Sequence, residues 1–211
     1  MIKFISTSIL LFFIYQCDSY AYPNINFIKD NPDYLLIEEN SLPIIDIRIG
    51  IKYGSRDDGA RTGITNFAIK LLHKQEVDNS KLIHHFERIG AIYNSDVSRD
   101  SSYISVRLIS TPENIHYVSK KLNILLKHQH ITQDLIDDNK DIILNAINRG
   151  KLDPSSIIQN KANEIFFINT GYSHPIFGYK KDVKDLNIKE VRNYLDSIIN
   201  KNSLEINIVG D

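Results

Sequence analysis

The sequence predicts an α+β domain, a two-layer sandwich with helices packed on one face of a mostly antiparallel sheet. Period-two alternation marks strands early, midway and at the end of the chain. Amphipathic segments with their own start and stop signals mark helices between and after them. The order, strands, then helices, then a returning strand, selects a layered α+β arrangement over alternating α/β units. At 211 residues the chain can bury a sizeable core as one domain. A net charge of −1 supplies no general attraction to nucleic acid or to an anionic membrane.

Residues 1–21 have the form of a secretory signal. Lys3 precedes an apolar run over 4–14, and Ser19-Tyr20-Ala21 offers the small–x–small step for cleavage before Tyr22. The run is short for a bilayer span. Cys17, the only cysteine, is a poor lipidation site because Gln16 precedes it, and without it the mature chain has no thiol for a disulfide. Secretion or a periplasmic location follows as the expectation. Residues 22–33, with two prolines, are expected to be a loose lead-in, and 34–211 to be a single domain.

Tyr34 to Glu38 is a short strand candidate. Ile45, Ile47, Ile49, Ile51 and Tyr53 alternate with Asp46, Arg48, Gly50 and Lys52, one face for the core and one for charge. Helical spacing follows in Ile64, Phe67, Ala68, Leu71 and Leu72 up to about His73. A second helix is expected over 79–89, stopped by Gly90. Two strands, 91–97 and 101–109, flank the polar turn Ser98-Arg99-Asp100. Thr111-Pro112 opens a helix that buries Ile115, Val118, Leu122, Leu125 and Leu126. Thr132 caps another, closed by Gly150. Asp153-Pro154 starts a third, expected to be lined by Ile157, Ile158, Ala162, Ile165 and Phe166. Asn187-Ile188-Lys189-Glu190 is a capping box for the last helix, and residues 204–209 form the closing strand.

The stretch from Tyr53 to Gln75 organises the rest. Gly54, Gly59 and Gly63 punctuate the charged segment Ser55-Arg56-Asp57-Asp58 before the helix begins, the mark of a shaped turn. The Gly54-Ser55-Arg56 turn and the Arg61-Thr62-Gly63 step resemble the insulinase/pitrilysin family of zinc metallopeptidases, which includes the mitochondrial processing peptidase. Phe86 to Ala91 with Asn94-Ser95-Asp96, the His174-Pro175 loop and the closing Ile206 to Asp211 extend the resemblance over nearly all of 34–211. It implies the processing-peptidase-like sandwich and, in active members, an inverted zinc motif, His-x-x-Glu-His, in which two histidines hold zinc and the glutamate activates water.

Here Asn66 and Lys70 stand at the histidine positions and Ile69 at the base. An amide oxygen is a weak ligand, an isoleucine takes no proton, and an ammonium would sit where a dication should. The third ligand of the family is a glutamate roughly seventy-five residues further on, and 142–152 hold no carboxylate. No catalytic residue and no metal ligand is therefore assigned, and no cofactor is expected, although the family implies zinc. Among His73, His84, His85, His116, His128, His130 and His174, no pattern suits a replacement site. The Arg56-Asp57-Asp58 turn is expected to be a solvated loop, with Lys70 reaching solvent or a nearby acid such as Asp57 or Asp58.

The expectation is a non-catalytic insulinase/pitrilysin-like domain, a peptide-binding or partner subunit of a zinc peptidase complex. Its expected partner is a catalytic or second-domain chain of the same family. Peptide would add as a strand near Asn94. The alternatives are a metalloendopeptidase with a displaced site and a truncated, non-functional remnant.

Overall fold

A computed structural model describes residues 24–28, 32–127 and 130–211. The expected signal, Cys17, Tyr22 and His128 lie outside the described residues. A six-stranded sheet, in the order β1-β2-β8-β3-β7-β6, forms one layer. Its strands are β1 (Asn24–Ile28), β2 (Asp33–Glu38), β3 (Ile44–Ile51), β6 (Ile92–Val97), β7 (Ser102–Ile109) and β8 (Leu204–Gly210). All neighbours pair antiparallel except β2 with β8. The α+β sandwich is as the sequence predicts.

The alternation in β3 does what its period requires. Ile47, Ile49 and Ile51 are buried, as are Ile104, Val106 and Leu108 on β7. The opposite face carries charge: Arg107 grips Asp46 through two 2.8 Å hydrogen bonds, and Arg48 lies 3.9 Å over the Tyr103 ring.

Over the apolar face pack α1 (Ile64–Leu71), α2 (Leu82–Glu87), α3 (Pro112–Lys127), α4 (Gln133–Gly150) and α7 (Ile188–Ile198). Helices α5 (Pro154–Phe166) and α6 (Lys180–Asp185) lie between α4 and α7 in the chain. The caps fall where the sequence marks them. Thr132 accepts from Leu135 N, Asp153 from Ser156 N, and Asn187 and Glu190 close a capping box.

Three expectations are corrected. The loose lead-in at 22–33 contains β1, which pairs Ile25 with Ile37 and Phe27 with Leu35. An edge strand needs only one ladder, so the prolines that bracket this segment do not prevent it. The helix expected over 79–89 begins at Leu82, because Asp78 and Asn79 adopt φ of +52° and +59°. They make a hairpin turn between β4 (Glu76–Val77) and β5 (Ser80–Lys81), a conformation that Asp and Asn tolerate. Helix α5 forms, but its apolar residues are not buried. Ile158 is 69% exposed and Phe166 79% exposed, and Leu152, Ile157, Ile165, Phe167 and Ile168 join them at the surface. Helical spacing places apolar residues on one face, but it does not say that this chain supplies the cover.

Candidate functional site

The charged turn is a fixed scaffold. After Gly54, the 3-10 turn Ser55–Asp57 docks on the β6–β7 turn, with Ser55 N and Arg56 N each 3.0 Å from the carbonyls of Ser98 and Arg99. The Asp58 side chain is wholly enclosed. Its carboxylate accepts from Gly63 N at 2.6 Å, Thr65 N at 3.0 Å and Thr65 Oγ1 at 2.5 Å, which satisfies the first amides of α1 and sets a negative charge at the helix N-terminus. Burial pushes the Asp58 carboxyl above its usual range, while the hydrogen bonds from Thr65 and Gly63 and the nearby His174 pull it down. The turn is thus not the solvated loop expected, because Asp58 caps the helix instead of facing water.

A second loop locks against this one. His174 Nδ1 lies 3.8 Å from Asp58 Oδ2 and 3.0 Å from Pro175 O. Tyr179 N donates to Thr62 Oγ1 at 2.9 Å. Thr65 Oγ1 also meets Tyr194 OH at 2.5 Å, which ties the last long helix into the same network. His174 therefore takes a structural position.

Helix α1 leaves this anchor and runs beside β6. Asn66 and Ile69 are buried, Ile69 completely. Lys70 is partly exposed and meets a nearby acid as expected, but that acid is Asp96, not Asp57 or Asp58. Those acids sit at the start of α1, whereas Lys70 is near its end and faces the sheet edge. Its Nζ donates to the Ser95 carbonyl on β6 and lies 3.8 Å from Asp96 Oδ1. Asn66, one turn earlier on the same face, has a buried Nδ2 with no hydrogen-bond partner.

These residues do not fit a zinc ion. An ammonium committed to a carbonyl repels a dication, and an enclosed isoleucine activates no water. On α4, which packs on α1, Ala146 and Ile147 line a cavity instead of offering oxygen. Among the described residues, no group of three His, Cys, Asp or Glu side chains is placed to hold a metal.

The other histidines have separate neighbours. His85 is buried between Tyr117 OH at 2.8 Å and Val77 O at 2.9 Å, and His84 is exposed. His73 has a buried Nδ1 without a partner and a ring 5.2 Å from that of Tyr93. Burial first, then Lys74, Lys70 and Lys81, lower its pKa to about 4. The unfolded chain therefore takes up this proton before the folded one does. Stability linked to His73 is complete above about pH 6.5 and falls as pH drops toward about 4. Denaturant titrations should show a loss of roughly 2 kcal/mol between pH 7 and 4.5 that His73→Phe removes. Identical pH slopes in the two proteins would refute it.

Sequence reasoning missed the Asp58 cap and the Lys70–Ser95 contact. The first left no local signal, because Asp58 lies five and seven residues before the amides it caps, outside the position next to a helix where a cap is read. The second needed knowledge of which strand lies at the edge. No helix among the described residues is long and apolar enough to cross a membrane.

Comparison with known proteins agrees with this architecture. The insulinase family, peptidase family M16, matches residues 34–180. The chain superposes on a peptidase M16 inactive domain from Pseudomonas fluorescens with a TM-score of 0.84 at 19% identity, over 89% of this chain and 47% of that one. A protease from Helicobacter pylori gives 0.80 at 14% identity, over 90% and 47%. The periplasmic protease PqqL from Escherichia coli gives 0.77 at 16% identity, over 90% and 22%. The chain thus spans about half the length of the first two, and less of the third. No curated protein matches the sequence. On the family match and the shared sandwich, the chain belongs to the insulinase family, peptidase family M16.

Proposed function

We propose that this chain is a non-catalytic insulinase-family domain that acts as a partner subunit, binding extended peptide beside a second domain of the same family. The observation that carries this reading is the face of α1, where Asn66, Ile69 and Lys70 present an amide, an enclosed hydrocarbon and an ammonium next to a sheet edge. Strand β6 ends the sheet on that side. An edge strand offers a row of unpaired backbone groups that an extended peptide can pair with.

The partner half rests on the uncovered face of α5. Leu152, Ile158, Ile165, Phe166 and Ile168 are all more than half exposed, a patch that water does not favour. Beside it, a cavity of 780 Å³ lies between the end of α4, α5 and the loop at Ile176 and Phe177. The relatives of about twice this length carry a further stretch of comparable size, so a second insulinase-like domain is the occupant we assign to this face. The signal-like sequence over 1–21, with the periplasmic location named for one structural neighbour, supports export to the periplasm.

The test mixes the purified chain with an insulinase-family subunit that carries an intact His-x-x-Glu-His motif and comes from the same genome. Light scattering should show a heterodimer that Phe166→Glu, with Ile158→Glu, disrupts by at least tenfold in Kd, while the chain alone cleaves no peptide. One zinc per chain, together with peptide hydrolysis by the isolated chain that a chelator abolishes, would defeat the proposal.

A further inference from the structure

We infer that the former metal position has become a carboxylate receptor, so that the edge of β6 selects peptides with an acidic group opposite Ser95. This rests on the proposed peptide binding at β6 and specifies its ligand. In the β6–β7 ladder, Ser98 N donates to Ser101 O at 2.8 Å. Hydrogen-bonded pairs alternate with non-bonded ones in an antiparallel ladder. Counting back along the register, Asp96 and Asn94 face β7, while Val97, Ser95 and Tyr93 turn their amides and carbonyls outward. These three residues are the rungs open to an incoming strand.

The middle rung already carries one donor, since Lys70 Nζ donates to the Ser95 carbonyl. An ammonium has three donors and accepts nothing. The nearest acid, Asp96, lies at 3.8 Å, beyond hydrogen-bond length. Lys70 therefore keeps donors to spare, and its side chain is partly exposed. One turn back on the same helix face, the Asn66 amide is 3% exposed and its Nδ2 lacks a partner. A buried donor without an acceptor is costly, and such a group in a native structure calls for an explanation. A carboxylate, with two oxygens and no donor of its own, answers both spare donors.

A neutral peptide has no such answer. Its amide can share the Ser95 carbonyl, whose oxygen has two lone pairs, but it brings no acceptor charge for the remaining donors of Lys70 or for Asn66 Nδ2. An acidic peptide compensates the lysine as it pairs. The Ser95 side chain is buried on the helix side of the sheet. The selected group is therefore an Asp or Glu side chain on the helix side at that rung, or the terminal carboxylate of a peptide that ends there.

Fluorescence anisotropy with the full chain tests this on end-blocked nonapeptides that differ only by Glu or Gln at the centre. A shorter pair, ending in a free carboxylate or an amide, separates the two sources of the acid. The acidic member of at least one pair should bind tenfold or more tighter, and Lys70→Met should erase that preference while Lys70→Arg retains part of it. Equal affinities, or a preference that survives Lys70→Met, would overturn the inference alone. Backbone N-methylation at alternate peptide residues, which blocks strand pairing and leaves the protein untouched, should abolish binding. Peptides that bind regardless of N-methylation, or no binding by any of them, would instead remove the β6 reading and the inference with it.

Discussion

Asp58→Ala should destabilise the domain by about 3–5 kcal/mol in denaturant titrations. The loss of a helix cap costs about 1–2 kcal/mol, and each buried donor left without an acceptor costs about 1–3 more. Gly63 N and Thr65 N both donate to this one side chain, while Thr65 Oγ1 has the Gly54 carbonyl at 3.1 Å as a second acceptor. With total stabilities of about 5–15 kcal/mol for ordinary domains, such a change brings the protein close to unfolding at moderate temperature. Asp58→Asn keeps an acceptor oxygen and should cost less than the alanine. A loss under about 1 kcal/mol for Asp58→Ala would mean that the carboxylate does not organise the turn.

Gly63→Ala should be comparably severe, for a different reason. The φ at Gly63 is +85°, and a Cβ there would lie 2.4 Å from the Phe177 carbonyl oxygen and 2.7 Å from its carbon. The left-handed conformation costs an alanine about 1–2 kcal/mol. The clash is with backbone, so it is relieved only by parting the turn from the His174 loop. Together these amount to about 3 kcal/mol or more. Gly59 is the internal control, since its φ is +63° but a Cβ there meets nothing within 4 Å. Gly59→Ala should cost about 1–2 kcal/mol. Hydrogen exchange at Tyr179, whose amide donates to Thr62 Oγ1, should accelerate in Gly63→Ala and not in Gly59→Ala. Equal melting temperatures for the two variants would contradict the close approach.

Much of the fold is legible in the sequence because its signals are local. The isoleucine alternation of β3 can satisfy only a strand with one buried face. Thr132, Asp153 and Asn187 announce their helices through side chains that bond amides three residues on. What was not legible depends on distant partners. The spacing of Ile158, Ile165 and Phe166 is the same whether a helix is covered by its own chain or by another. The resemblance to the zinc family likewise points to Asn66, Ile69 and Lys70 by position, but the fate of the Lys70 ammonium is set by β6, twenty-five residues later. Asp58 read as a loop acid because Arg56 and Asp57 surround it. Only the folded turn shows that its carboxylate is turned inward.

The position of β8 has a consequence for how the molecule comes together. That strand slots between β2 and β3, with Tyr34 beside Ile206 and Ile47 beside Ile208. The outer pair β1–β2 therefore has no seat beside β3 until β8 is synthesised, and the strand edges wait unpaired until then. Such long-range closure is slow and leaves nascent chains prone to aggregation. Ribosome-bound fragments that stop short of Leu204 should remain protease-sensitive, and the full sheet should assemble only once β8 has emerged from the ribosome.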